Sequence, residues 1–211
     1  ERDHIRRYGF HGTSHRYVSA RAAELLGKPA EACRLITCHL GNGCSICAVR
    51  DGRAVDVSLG FTPIEGLVMG TRCGDIDPGV VFHLVRAKGM SLDEVEDLFI
   101  RRGGLLGLSG RSNDMRDLVE AAASGNARAQ LAIDVFCYRA KKYIGAYWAV
   151  LGGADAVVFT GGIGENRAEI RQQILNGLEH LGRLEALVVP THEELLIARD
   201  TARVLNGTGT R

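Results

Sequence analysis

Arg72 stands in Gly70-Thr71-Arg72-Cys73-Gly74, a glycine-flanked loop from which a guanidinium can offer several donors to a phosphoryl group. A surface arginine paired with Asp75 or Asp77 is the plainer alternative. Two other glycine turns end apolar stretches: Val157-Val158-Phe159-Thr160-Gly161-Gly162-Ile163-Gly164-Glu165-Asn166 and, far upstream, His39-Leu40-Gly41-Asn42-Gly43. Glycine lets the backbone approach a ligand closely, and the free amides of a following helix favour an anion or a polar ring edge. Asn166 and Glu169 have capping-box spacing, which predicts a helix start at Asn166. His39 and Asn42 fall at the tip of a predicted hairpin, where exposed amides and an asparagine side chain can cradle phosphates. Asn42-Gly43 would equally specify a type I′ turn with no ligand. His11 follows Phe10 in a non-helical turn and could donate a hydrogen bond to a phosphoryl oxygen. His15 comes four residues later, but Gly12 and the lack of an intervening acid argue against a zinc helix. It reads as a residue that holds the turn together.

Cys44-x-x-Cys47 has the spacing of half a zinc site. Residues three apart on a strand point to opposite faces, so the two thiols diverge. The six cysteines read as buried small hydrophobes.

Positioning these groups falls to a chain of 211 residues, enough to bury a sizeable core. Its 26 basic and 25 acidic residues nearly cancel and form no long run, which argues against a polyanion-binding face and against nucleic acid as partner. The longest apolar run, Ile144 to Ala154, is too short to span a bilayer, and no membrane association is expected. No cleavable leader is recognised, so the expectation is a soluble cytoplasmic protein with reduced thiols.

Apolar spacing predicts a helix over His15 to Leu26, stopped by Gly27-Lys28-Pro29. Strands over Cys33 to Leu40, Cys44 to Arg50 and Arg53 to Leu59, joined at Asn42-Gly43 and Asp51-Gly52, predict an antiparallel meander. Short helical pieces run from Asp77 to Gly125, with a capping box at Ser91 and Glu94 and a break at Gly103-Gly104. The longest helix spans Asn126 to Leu151, with apolar positions at Leu131, Val135, Tyr138, Ile144 and Trp148. Strand and helix then alternate: Ala156 to Thr160, Asn166 to Leu181, Ala186 to Val189, Glu193 to Leu205. This order describes an α/β layer with a meander at one edge, parallel crossovers at the other and helices on both faces.

The segments Tyr8-Gly9-Phe10-His11-Gly12-Thr13-Ser14-His15, Thr37 to Gly43, Gly60-Phe61-Thr62-Pro63, Met69-Gly70-Thr71-Arg72, Ser112-Asn113-Asp114-Met115-Arg116 and Gly162 to Asn166 resemble the acetate kinase family, in that family's order. Propionate kinases share most of them. The resemblance implies a ribonuclease-H-like domain of the class that holds acetate and sugar kinases, heat-shock ATPases and actin. In that class two such domains clasp a nucleotide. By resemblance, residues 1–32 are a lead-in turn and helix, 33–205 the nucleotide-binding C-terminal domain and 206–211 a polar, frayed tail. The family's N-terminal domain, with part of its catalytic centre, has no counterpart in this expectation. The connection between Leu181 and Val188 is shorter than usual, and His192 stands where the family has asparagine.

The resemblance further implies reversible phosphoryl transfer from ATP to acetate, giving acetyl phosphate and ADP, in a homodimer. Arg72 and His11 are then catalytic. His39, Leu40, Gly41, Asn42, Gly43, Asp114, Met115, Arg116, Gly162, Ile163, Gly164, Glu165 and Asn166 contact the nucleotide. Glu193, with Glu194 a close rival, is associated with Mg²⁺. Alone, Asp114 would serve equally as a helix-end carboxylate, and a glutamate in a first helical turn is common for dipole reasons. Three alternatives stand beside acetate kinase: a propionate kinase, a non-catalytic actin-like nucleotide-binding scaffold, and a dimerisation module built on the long helix.

Overall fold

The computed structural model describes residue 3 and residues 5–182 and 184–207. Residues 208–211 of the expected tail and Arg183 of the shortened connection lie outside the described residues. The central element is a five-stranded sheet in the order β3-β2-β1-β4-β5. Its strands are β1 (Arg34–Leu40), β2 (Cys44–Arg50), β3 (Arg53–Val57), β4 (Ala156–Thr160) and β5 (Glu185–Val188). The first three are antiparallel neighbours, and β4 and β5 join β1 in parallel, so the meander and the crossovers take opposite edges as expected.

Strand periodicity sorts the side chains into two cores. Ile36, Cys38, Leu40, Cys44, Ile46, Ala48, Val157 and Phe159 enter the larger one. That core is closed by α4 (Gly104–Ser109), α5 (Met115–Ala123), α6 (Ala127–Leu151) and α8 (Ala168–Leu175). Leu35, Cys47, Val49, Ala156 and Val158 enter the smaller core with Val18, Ala22 and Ala23 of α1 (Gly12–Leu25). The last helix, α9 (Glu193–Leu205), lies against α1, with Tyr17 and His192 rings 5.8 Å apart. Cys44 and Cys47 thus sit on opposite faces, and burial pushes both thiols up to about 12, which keeps them protonated.

The smaller core is apolar at one end only. Toward the β1–β2 hairpin the same face continues as Thr37, His39 and Ser45, and the first turn of α1 covers it with Ser14 and His15. Helix α2 (Gly79–Lys88) and α3 (Leu92–Arg101) follow; α3 begins with the predicted Ser91–Glu94 capping box, and its Phe99 and Ile100 carbonyls accept from Cys73 N at 3.0 Å and Thr71 Oγ1 at 2.8 Å, on either side of Arg72.

Several local expectations are corrected. Helix α1 starts at Gly12, because His11 adopts a left-handed conformation (φ 59°) that turns the chain directly into the helix. Asp51 and Gly52 both have positive φ, as a type I′ turn requires, whereas Asn42 and Gly43 do not. There the loop is three residues long, between the paired Leu40 and Cys44. Tertiary bonds set it: the Asn42 carbonyl accepts from Gly70 N at 2.9 Å and its Oδ1 from Asn113 Nδ2 at 2.9 Å. Asn166 caps no helix start. It ends the short α7 (Gly161–Asn166), which begins immediately after β4, and its Nδ2 donates to the Gly162 carbonyl. Along α6 the buried stripe is Ala129, Ala132, Ile133, Phe136, Ala140, Ile144 and Tyr147, while Leu131 and Tyr138 face solvent. Those two are seven residues apart and share a second, exposed face.

Candidate functional site

Gly41 and Asn42 of the hairpin, Asn113 to Arg116 at the start of α5, and Gly162, Ile163, Asn166 and Arg167 of α7 meet around one cleft of about 600 Å³. Three segments far apart in sequence therefore form one wall. Gly162 has no heavy atom within 4 Å of where a Cβ would stand, so its backbone faces open space in the cleft. Asp114 caps α5 by accepting from Arg116 N at 2.8 Å, and the Arg116 side chain beside it holds its carboxyl down at about 2. A hollow of similar size, about 690 Å³, runs from Arg111 to Asn126, but Asp117 and Glu120 line it and disfavour an anion.

Beyond Asn42 the loop leads to a cationic and imidazole cluster. A Cβ on Gly43 would stand 3.2 Å from Arg72 Nη2 and 3.5 Å from His11 Nε2, so both groups converge over this glycine. Arg72 Nη1 donates to the Pro63 carbonyl at 2.9 Å, which fixes the guanidinium plane and leaves other donors free to point at a ligand. Neither Asp75 nor Asp77 pairs with it among the described residues. Asp75 instead accepts from Arg139, Tyr143 and Gly66 N.

His11 stacks on His39, with ring centroids 4.2 Å apart and planes 18° from parallel. Burial, together with His39 and the Arg72 charge, pushes the His11 imidazole down to about 4, while Glu193 pulls the other way. At neutral pH it is an uncharged donor or acceptor. His39 is lowered by burial as well. His15, nearly fully buried, has both ring nitrogens engaged, by Thr37 and Ser45, and serves as a structural member of the cluster.

The remaining residues singled out by sequence divide by what their side chains touch. Leu40 and Met115 are buried core residues, so only their backbones can reach a ligand. Gly164 is buried where α7 packs on β1, and a Cβ there would lie in ordinary contact, 3.6 Å from the Cys38 carbonyl and Leu40 Cβ, so it faces the core and not the cleft. Glu165 Oε1 accepts from Thr160 Oγ1, Gly161 N and Thr191 N, tying the end of β4 to the segment before α9. This tie brings Glu193, half-buried, within electrostatic reach of His11, and leaves Glu194 exposed. Sequence reasoning passed over Arg167, Ser45 and Thr37 as site residues. The last two share strand parity with His39, a signal that was available.

The donor set suits Mg²⁺ held jointly with a nucleotide. Among the described residues no group of three His, Cys, Asp or Glu side chains could hold a metal alone. Mg²⁺ characteristically takes one or two carboxylates and completes its shell with phosphate oxygens and water, which one carboxylate at Glu193 fits.

Comparison with known proteins identifies the family. The Acetokinase family model matches residues 1–186. The acetate kinase of Heliobacterium modesticaldum is 54% identical over 96% of this chain, and the chain spans 56% of that protein. Among solved structures, Porphyromonas gingivalis acetate kinase superposes with a TM-score of 0.92 at 47% identity, over 95% of this chain and 56% of that one. A propionate kinase from Francisella tularensis gives 0.90 at 42% identity, over 94% and 56% respectively. A hexokinase from Thermus thermophilus, 16% identical over 93% of this chain and 65% of that one, gives 0.52 and shares the fold alone. The chain thus spans little more than half the length of the relatives it matches. The family model over most of the chain and relatives about half identical along nearly all of it leave one conclusion: the chain belongs to the acetokinase family.

Proposed function

We propose that the chain forms the nucleotide-binding part of an acetate kinase, which transfers a phosphoryl group reversibly from ATP to acetate. One observation carries the proposal: the cleft ends at Asn42, and one residue further, over Gly43, Arg72 and His11 converge. A nucleotide lying along the cleft directs its terminal phosphate at that point. Gly41, Asn42, Asp114 to Arg116, Gly162, Ile163 and Asn166 provide its walls, while Leu40, Gly164 and Glu165 support them from behind.

Acetate is already a carboxylate at neutral pH, so its attack on phosphorus requires no general base and no covalent nucleophile from the protein. What remains is alignment and neutralisation of charge on the equatorial oxygens. Arg72 supplies a fixed cation, and His11 a neutral hydrogen bond in a partly buried site. Glu193 would hold Mg²⁺, which would supply further neutralisation of phosphate charge when bound. Water must be kept out, since it could replace acetate as acceptor. In this proposal, the portion of the relatives that the chain does not match closes over the site. The similarity to a propionate kinase keeps a three-carbon acid as the second candidate substrate. A cytoplasmic location and a dimer, with Leu131 and Tyr138 on the exposed face of α6 as its contact, complete the reading.

Two measurements test it. Titration with MgADP should show weak binding that is lost in Gly162→Phe, which places a bulky side chain at a cleft-lining position whose Cβ meets nothing within 4 Å. Hydroxamate formation from acetate and ATP should be absent or slow in the chain alone and appear in a chimera joining it behind the N-terminal portion of a relative. Unchanged ADP binding in Gly162→Phe, or robust turnover by the chain alone, overturns the proposal.

A further inference from the structure

Buried hydroxyls behind the site determine which nitrogen of His11 carries its proton. Ser45 Oγ lies 2.8 Å from His11 Nδ1 and 2.7 Å from His15 Nε2, and His15 Nδ1 lies 2.7 Å from Thr37 Oγ1. Each hydroxyl has one hydrogen and each neutral imidazole one. Ser45 could accept from both imidazoles, but its own hydrogen, completely buried and with no other side-chain partner among the described residues, would then be stranded, so two continuous directions remain. In one, Thr37 donates to His15 Nδ1, His15 Nε2–H donates to Ser45, and Ser45 donates to His11 Nδ1. His11 then carries its proton on Nε2. In the other, every bond reverses, the Thr37 hydrogen drops out of the line and His11 Nε2 is left bare.

Thr37 decides between them. Its residue is completely buried, and His15 is the only side-chain partner of its hydroxyl among the described residues. Reversal would strand a buried donor, which folded proteins avoid. The same count applies next door: Ser14, also completely buried, has His39 Nδ1 at 2.8 Å as its only such partner. His39 is therefore protonated on Nε2 as well.

We propose that Ser45 is a positioning residue that donates to His11 Nδ1 and locks the imidazole with its proton on Nε2, aimed with Arg72 at the space over Gly43. The direction is imposed from behind by Thr37 through His15. The catalytic consequence rests on the phosphoryl-transfer reading: a neutral N–H is offered to the equatorial oxygen, where the reverse tautomer would present a lone pair to a negative group. Burial keeps the line uncharged near neutrality, since it pushes both His11 and His15 below their ordinary range.

Long-range proton–nitrogen correlation spectra of the ¹⁵N-histidine-labelled chain at neutral pH test this without any nucleotide. The chain has seven histidines, and the His11 signals are those that vanish in His11→Gln. The expected pattern for His11 is a protonated, pyrrole-type Nε2 and a bare, pyridine-type Nδ1. In Ser45→Ala both nitrogens should move to intermediate positions as the two tautomers exchange, while Ser45→Thr restores the locked pattern. A wild-type His11 protonated on Nδ1 overturns the proposal, and so does a locked pattern that survives Ser45→Ala. Either result would leave the phosphoryl-transfer reading standing, because ADP binding and hydroxamate formation judge that separately.

Discussion

Adding one methyl group at Gly104 should displace the loop that carries Arg72. This glycine opens α4 with φ +61°, and a Cβ there would stand 2.2 Å from the Met69 carbonyl oxygen, 2.8 Å from that of Arg72 and 2.9 Å from Arg72 N. These are backbone atoms, so no rotamer change relieves the overlap, and the nearest lies about 1 Å inside ordinary contact. The loop must move away from α4. Doing so strains the bonds that now join them, Leu105 N to the Met69 carbonyl at 2.8 Å and Leu106 N to the Gly70 carbonyl at 3.0 Å.

The left-handed backbone costs a non-glycine residue about 1–2 kcal/mol, and two weakened hydrogen bonds cost about 1 kcal/mol each. Gly104→Ala should therefore lose about 3–4 kcal/mol, less than the ~5–15 kcal/mol of a typical domain, so it should still fold. Gly89→Ala supplies the control. Gly89 has a similar φ of +68° and nothing within 4 Å of its Cβ position, so it should show the backbone cost alone. Urea denaturation should give the two variants equal slopes and separate their midpoints by an amount equivalent to about 2 kcal/mol. In the chimera, a displacement of about 1 Å at Arg72 should lower kcat roughly 100-fold in Gly104→Ala. ADP binding should fall far less than turnover, because of the cleft-lining residues only Asn42 is bonded to the displaced loop, through Gly70 N. Equal midpoints for the two variants, or full turnover in Gly104→Ala, would refute the reasoning.

Arg72→Lys keeps the charge but cannot both bond the Pro63 carbonyl and present a fork of donors, so kcat should fall about 10²–10³-fold with ADP affinity little altered; steady-state kinetics of the chimera would show this. Glu193→Gln should raise the Mg²⁺ concentration needed for half-maximal turnover, whereas Glu194→Gln, exposed and one residue along, should not; equal effects would remove the metal role of Glu193. Stability should fall as the solution is acidified from pH about 6.5, the ordinary histidine value, because folded His11 and His15 take up protons only near 4 and 3 while the unfolded chain already binds them. Their contribution is fully present above pH ~6.5 and lost on the way down. His15→Gln should flatten that slope in urea midpoints measured across the range, and an unchanged slope would assign acid sensitivity elsewhere.

The sheet was legible in the sequence because its central strands are short apolar runs bounded by glycine and both hairpins carry turn dipeptides, and the order of elements followed. Boundaries that depended on tertiary bonds were not. The His11 turn into α1 is set by a left-handed residue that propensity does not anticipate, and the loop at Asn42 by partners 25 or more residues away, while α7 ends at Asn166 with a local bond back to the Gly162 carbonyl. Asn42 shows the reason. Local chemistry favours a two-residue turn, but Gly70 N and Asn113 compete for its oxygens and win. For the candidate site, spacing drew attention to glycines and to Arg72 and His11, while resemblance supplied their grouping. The hydroxyls on the inner face of the sheet stayed unseen because Thr37 and Ser45 are unremarkable strand residues until His15 is placed between them.

Glycine at 43 and at 70 makes sense only in terms of other residues' side chains. A Cβ on Gly70 would fall 1.9 Å from Asn42 Oδ1, and one on Gly43 would meet Arg72 and His11. Neither has a φ that demands glycine. Each is a space kept clear for a neighbour, so that the asparagine can stand at the end of the cleft and the guanidinium and imidazole can close over the next residue. Gly43→Ala tests this reading against the commoner view of glycine as a source of flexibility. The added methyl would sit where the terminal phosphate and its two donors must meet, so it should lower turnover in the chimera while leaving the urea midpoint nearly unchanged. If flexibility were the requirement, nucleotide binding and stability would change as well, and turnover would recover with a flexible glycine restored at a neighbouring position; that recovery would sink the steric account.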